Sequence, residues 1–158
     1  EETADIGEVK LGYKASLGYY AQEHEQIRPG ITVMDHIRSV AGGLIDATLR
    51  SVLGHFLLGD KIEQDAGTLS GGEKTKLALA MLVVGKHNVL LLDEPTNNLD
   101  PQAKQSLLEA LHAYPGTIIL VSHDTGFVAD LEPQRAVMMP EGESVYFDES
   151  LLDLVGLA

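Results

Sequence analysis

Three short segments hold residues whose types and spacing could do chemistry. Val89-Leu90-Leu91-Leu92 runs straight into Asp93-Glu94, so two carboxylates follow an apolar strand at its C-terminal end, where open parallel sheets bind ligands. One carboxylate fixed there can hold Mg²⁺, directly or through water, and its neighbour can polarise a water that attacks phosphorus. Asp93 is the metal candidate and Glu94 the base. An ordinary acidic loop carries the same dipeptide, so the pair alone leaves both readings open. Leu69-Ser70-Gly71-Gly72-Glu73 precedes a helix whose apolar positions Leu77, Ala80, Met81 and Val84 keep helical spacing. Ser70 can cap that helix, and the glycines let a phosphate approach its first N–H groups, where the helix dipole adds about 0.3–1 kcal/mol. Taken alone, this is a capped turn in most proteins. The third segment, Val121-Ser122-His123-Asp124, puts an imidazole at a strand end. It is no hydrolytic triad, because consecutive residues cannot converge on one another.

The elements that must position these groups follow from punctuation and periodicity. Residues 8–22 hold two β-prone stretches about Lys14-Ala15-Ser16, which predict a short antiparallel pair with Gln22 at the strand exit. After Pro29-Gly30, Thr32 and Asp35 predict a capped helix to about Val40, ended by Ala41-Gly42-Gly43. Ile45, Leu49, Val52, Leu53, Phe56 and Leu57 recur at spacings of three and four, predicting a second helix over residues 44–58. Beyond a polar stretch at residues 59–68, a helix from about Glu73, a strand at 89–92, a helix from Pro101 and a strand at 117–121 alternate. Continuously apolar strands between helices imply a parallel sheet covered on both faces. Strand-like segments at 135–139 and 144–147, joined by a turn at Glu141-Gly142-Glu143, precede a last short helix through 151–157.

The whole chain narrows the field of functions. Its 158 residues, 44% hydrophobic and 22% charged, suffice for one core. The longest apolar run, Leu77 to Val84, is far shorter than the roughly 20 residues of a membrane-spanning helix, so a soluble, cytoplasmic protein without a membrane partner is expected. The absence of cysteine excludes disulfide frameworks and Cys-based zinc sites. The formal charge of −13 would repel a phosphate backbone and argues against direct nucleic-acid binding. Lys74 and Lys76, the nearest approach to a basic cluster, read as a solvated helix face. His24, His36, His55, His87 and His112 lack H-x-x-x-H spacing and read as structural or surface residues.

In order, LSGGE, LLLDEPTNNLD and VSHD resemble the ABC ATPase family. The resemblance implies a P-loop NTPase-like α/β fold, with a parallel sheet core, a small helical subdomain and an N-terminal β-hairpin. It divides the chain into residues 1–26 (hairpin and Q-loop), 27–68 (helical subdomain) and 69–158 (signature, Walker B, D-loop, switch and tail). By this likeness Gln22 is the Q-loop glutamine, near metal and attacking water. Ser70, Gly71 and Gly72 form the signature that closes over nucleotide held by a second ATPase domain. Asp93 and Glu94 are Walker B, Asp100 ends the D-loop, and His123 is the switch reaching the γ-phosphate. The cofactors implied are ATP and Mg²⁺. These groups are expected on adjoining surfaces of one cleft.

Within the family, Glu73-Lys74-Thr75-Lys76, DEPTNNLD and Val121-Ser122-His123-Asp124 are most similar to ABC-F proteins, soluble twin-domain ATPases that act on ribosomes. Asn98 stands where a His is common there. A membrane-transporter ATPase segment and a non-hydrolysing half-site module are the alternatives. No G-x-x-x-x-G-K-[ST] loop occurs: Gly85-Lys86 is followed by His87 and has Ala80 where the first glycine belongs. That loop is expected upstream of Glu1, making the chain a truncated, C-terminal portion of the domain. Alone it is expected to be inactive, and able to form a homodimer through sheet surface that the missing strand would leave open.

Overall fold

The computed structural model describes residues 7–8, 10–20 and 26–155, the last two by backbone alone. The sheet at its centre has three parallel strands in the order β1 (Leu17–Tyr20), β2 (Val89–Asp93), β3 (Thr117–Val121). Tyr19, Leu91 and Ile119 lie side by side in the register. Among the described residues, 10–13 form no strand, so the expected antiparallel pair is not seen there, and β1 pairs in parallel with β2. The Asn88 side chain explains the choice. Its oxygen accepts from the Ser16 N–H (2.8 Å), and its NH₂ donates to the Lys14 carbonyl (2.9 Å). One amide thereby satisfies the backbone of the incoming chain and sets it beside the start of β2.

Among the described residues six α-helices accompany this sheet. In α1 (Val33–Val40) Thr32 caps the first turn, accepting from the Asp35 N–H, as the sequence predicts. His36 is buried on its inner face. The Arg28 N–H donates to Nε2 (2.9 Å), which leaves Nδ1–H to donate to the Thr32 carbonyl (2.9 Å). The second helix, α2, runs only over Asp46–His55, shorter than expected. Leu57 adopts φ 59°, the Leu58 N–H reaches back to the Leu53 carbonyl (2.8 Å), and the Leu57 N–H bonds that of Gly54 (3.0 Å). These bonds are a Schellman closure with a leucine in the left-handed position, which apolar periodicity does not reveal. Ile45, expected in the buried stripe, is 70% exposed.

Helix α3 (Gly71–Val84) is the central pillar, in contact with α1, α2, β1 and α4 (Pro101–His112). Leu77, Leu79 and Ala80 are essentially inaccessible, and they join Leu90, Leu92 and Leu107 in one hydrophobic cluster that also takes in Ile37, Leu49 and Leu53. A short helix, α5 (Thr125–Leu131), follows β3 where the sequence pattern marks none; Asp124 caps it and Phe127 anchors it. The antiparallel pair β4 (Arg135–Met138) and β5 (Glu143–Tyr146) agrees with the expected strand-turn-strand. A 3₁₀ turn at Glu149–Leu151 leads into α6 (Leu152–Val155), which continues to the last described residue. No helix among the described residues is long and apolar enough to cross a membrane.

Among the described residues the sheet is covered on one face only. Leu90 and Leu92 are fully buried, whereas on the opposite face Leu17, Tyr19, Ile119 and Val121 are 41–53% exposed. The expectation of helices on both faces therefore fails among the described residues.

Candidate functional site

The end of β2 determines where the two carboxylates go. Asp93 is its last residue, and Glu94 turns into the left-handed region at φ 47° while its N–H still bonds the Val121 carbonyl (2.9 Å). A non-glycine residue held in that conformation costs about 1–2 kcal/mol, so the surroundings must compensate. The turn brings the Glu94 carboxylate to the end of the adjacent strand, where Oε1 lies 2.6 Å from Nδ1 of His123. The second oxygen, Oε2, is buried and has no hydrogen-bond partner among the described residues. The glutamate side chain is 19% exposed and the imidazole 71%, so the acid is sheltered behind a histidine that faces solvent.

Beyond Glu94 the chain folds into a tight loop. The Asn97 N–H bonds the Glu94 carbonyl (3.2 Å), the Leu99 N–H bonds that of Thr96 (3.2 Å), and Asn98 takes φ 64°. Asparagine tolerates this conformation better than most residues. Asp100 then caps α4, with Oδ1 accepting from the Ala103 N–H (2.8 Å), and Pro101 occupies the first turn, where no N–H is needed.

The Ser70–Gly72 turn starts α3 with a full capping box. Glu73 Oε2 accepts from the Ser70 N–H (2.8 Å), and Ser70 Oγ accepts from the Glu73 N–H (3.4 Å). That bond to the Ser70 N–H, more than the nearby Lys61, holds the Glu73 carboxyl below its usual range. From this start, α3 reaches two other segments. A Cβ on Gly72 would come within 3.0 Å of the Asn98 carbonyl oxygen, so glycine is what allows the turn and the 97–100 loop to approach. Burial pushes the Tyr20 phenol up, opposed by its hydrogen bond with Thr75, and that bond ties α3 to the end of β1.

Two cations that are not among the predicted site residues also serve this region. Lys76, expected on a solvated face, is 8% exposed, and its Nζ lies 2.7 Å from Asp100 Oδ2. The signal for it was available: a lysine leading into the apolar run 77–84 has little solvated face to occupy. Lys104 Nζ lies 2.5 Å from Asp124 Oδ2, just beyond His123, and holds that carboxyl below its usual range. Nothing in the spacing of residues 104 and 124 announces that pair.

Of the predicted site residues, Glu94 and His123 meet directly, with Asp93 beside them on β2. Ser70, Gly71, Gly72 and Asp100 form a second group joined through the start of α3. Gln22 and His24 lie outside the described residues. Among the described residues no cluster of three or more His, Asp or Glu could hold a metal ion unaided. A donor set of one or two oxygens suits Mg²⁺, which keeps waters and takes phosphate oxygens as further ligands.

Comparison with known proteins gives this arrangement a family. The sequence model of the ABC transporter family matches residues 4–97. The ATP-binding protein YdiF of Bacillus subtilis (strain 168) is 44% identical over 125 residues, covering 78% of this chain and 20% of its own length. YheS of Escherichia coli (strain K12), also named an ATP-binding protein, is 42% identical over 120 residues, covering 75% of this chain and 19% of its own. The chain thus spans about a fifth of the length of the curated relatives it matches. Among solved structures the RNase-L Inhibitor superposes with a TM-score of 0.73 at 20% identity, over 95% of this chain and 32% of that one, which establishes the likeness of fold. The chain belongs to the ABC transporter family, in its ATP-binding domain and on the ABC-F side of the family.

Proposed function

We propose that this chain supplies the catalytic side of an ATP-hydrolysing site, completed by a phosphate-binding loop and by a second ATPase domain. One observation carries the reading: Glu94, at the C-terminal edge of β2, has one carboxylate oxygen on His123 and the other buried without a partner among the described residues. A buried acceptor left unpaired costs about 1–3 kcal/mol, a cost justified where a water or substrate group is to be taken up. Glu94 is the general base that accepts a proton from the attacking water. His123 orients the carboxylate and, being exposed, offers its other ring nitrogen to a phosphate oxygen. Asp93, with Gln22, would hold Mg²⁺, which when bound offsets charge on the phosphates. Ser70, Gly71 and Gly72 serve the nucleotide of the opposite domain, with the Asp100 loop between the two half-sites.

Replacing Glu94 by Gln keeps shape and removes the base. In a full-length protein carrying this chain, Glu94→Gln is expected to bind ATP normally and to lose about 10²- to 10⁴-fold in phosphate release. Unchanged steady-state release would place the base elsewhere. The 158-residue chain by itself, having no G-x-x-x-x-G-K-[ST] loop, is expected neither to bind ATP with submicromolar affinity nor to turn it over. Isothermal titration of the purified chain checks this, and tight binding with turnover would refute it.

The ABC-F likeness extends the proposal to the ribosome as the complete protein's target, reached through parts other than this acidic segment. Co-sedimentation of the full-length Glu94→Gln protein with ribosomes, dependent on ATP, is the expected result. Absence of ribosome binding in both ATP-bound and nucleotide-free states would remove translation from the reading.

A further inference from the structure

We propose that Lys76 is a positioning residue that locks the start of α3 to the 97–100 loop, so that the Ser70–Gly72 turn and the segment after Glu94 move as one block. The Lys76 side chain is 11% exposed, and a buried ammonium is costly unless it is paired. Its partner is already committed, because the same Asp100 carboxylate caps α4 through Oδ1 while Oδ2 meets Nζ at 2.7 Å. Each group thereby fixes the other: Asp100 cannot swing out without stranding the lysine, and α3 cannot slide without uncapping α4.

A second contact makes the junction two-pointed. Gly72 lies one helical turn before Lys76, on the same face of α3, and packs against the Asn98 carbonyl where a Cβ would come within 3.0 Å. Two contacts a turn apart fix orientation as well as distance, which a single ion pair does not. The Asp100 carboxyl is held below its usual range first by Lys76 and next by the Ala103 N–H, in keeping with this geometry. The lock stands on these contacts alone; its consequence for turnover rests on the proposed ATPase reading.

Hydrogen exchange of the 158-residue chain tests the lock. Lys76→Met is expected to speed exchange about two- to fivefold at the amides of residues 99, 100, 102–104 and 72–76, with Leu90 and Leu107 unchanged, and Lys76→Arg to restore protection. Should Lys76→Met fail to fold, Asp100→Asn keeps a capping side chain, removes its charge and is expected to give the same local pattern. Unchanged exchange at residues 99, 100 and 102–104, or an equal rise at Leu90 and Leu107, overturns the proposal. In a full-length protein, Lys76→Met is expected to lower kcat for ATP about tenfold at unchanged KM, with recovery in Lys76→Arg. An unchanged kcat sinks the coupling to turnover. If Glu94→Gln also leaves phosphate release intact, the ATPase reading has failed instead, and the exchange data still judge the lock.

Discussion

At the scale of single residues, the neighbourhood of His123 is organised by the adjacent carboxylate of Asp124. Asp124 caps α5 through the Phe127 N–H (3.1 Å) and pairs with Lys104, which lowers its pKa from an ordinary value of 3.8. A carboxyl depressed in the folded state contributes stability that is present above its unfolded value and is lost as pH falls through the folded one. Lys104→Met is therefore expected to cost about 0.2–1 kcal/mol near neutrality, the range for a partly exposed pair, and progressively less as the pH drops below about 4. Urea midpoints of both proteins across pH 2 to 7 check this; a deficit that stays constant to the acid end would mean that lost packing, not lost charge, is the cause. The same comparison separates the two functions of Asp124, since its cap survives the lysine's removal.

At the scale of elements, the legible parts of the sequence are those whose signals are local. The Thr32 cap, the β3 boundaries and the Pro101 start of α4 are where the sequence puts them, because each is decided by neighbours a few residues away. The parallel partner of β1 was illegible because a distant residue, Asn88, determines it. Helix α5 is too short for periodicity to register, and α2 ends at a leucine in a conformation that glycine usually marks. At the site, Glu94 and His123 could be read from their motifs, but the left-handed backbone of Glu94 and the pairing of Lys76 are tertiary facts. For α3 the capping box permits a direct measurement. Ser70→Ala is expected to cost about 1 kcal/mol of stability, whereas Ser70→Asp, another good N-cap, costs less. Equal losses in chemical denaturation for the two variants would show that the cap hydrogen bond contributes little there.

At the scale of the molecule, two opposed tendencies meet. Leu17, Tyr19, Ile119 and Val121 leave one sheet face apolar and 41–53% exposed, and β3 pairs on one side only among the described residues. An open strand edge beside an apolar face is a template for association. Against it stands a formal charge of −13, whose mutual repulsion between copies weakens as salt shortens the Debye length to about 8 Å near physiological ionic strength. The balance predicts a chain that is monomeric in dilute, low-salt buffer and dimerises as salt and concentration rise, the reverse of what an ion-paired interface would do. Ile119→Lys places a charge in the middle of the exposed face, beside Leu91 in the register, and is expected to abolish the salt-driven dimer while leaving the opposite, buried face intact. Light scattering across a salt series decides it. A monomer at every salt and concentration, or a dimer that Ile119→Lys leaves untouched, would show that this face is not where copies of the chain meet.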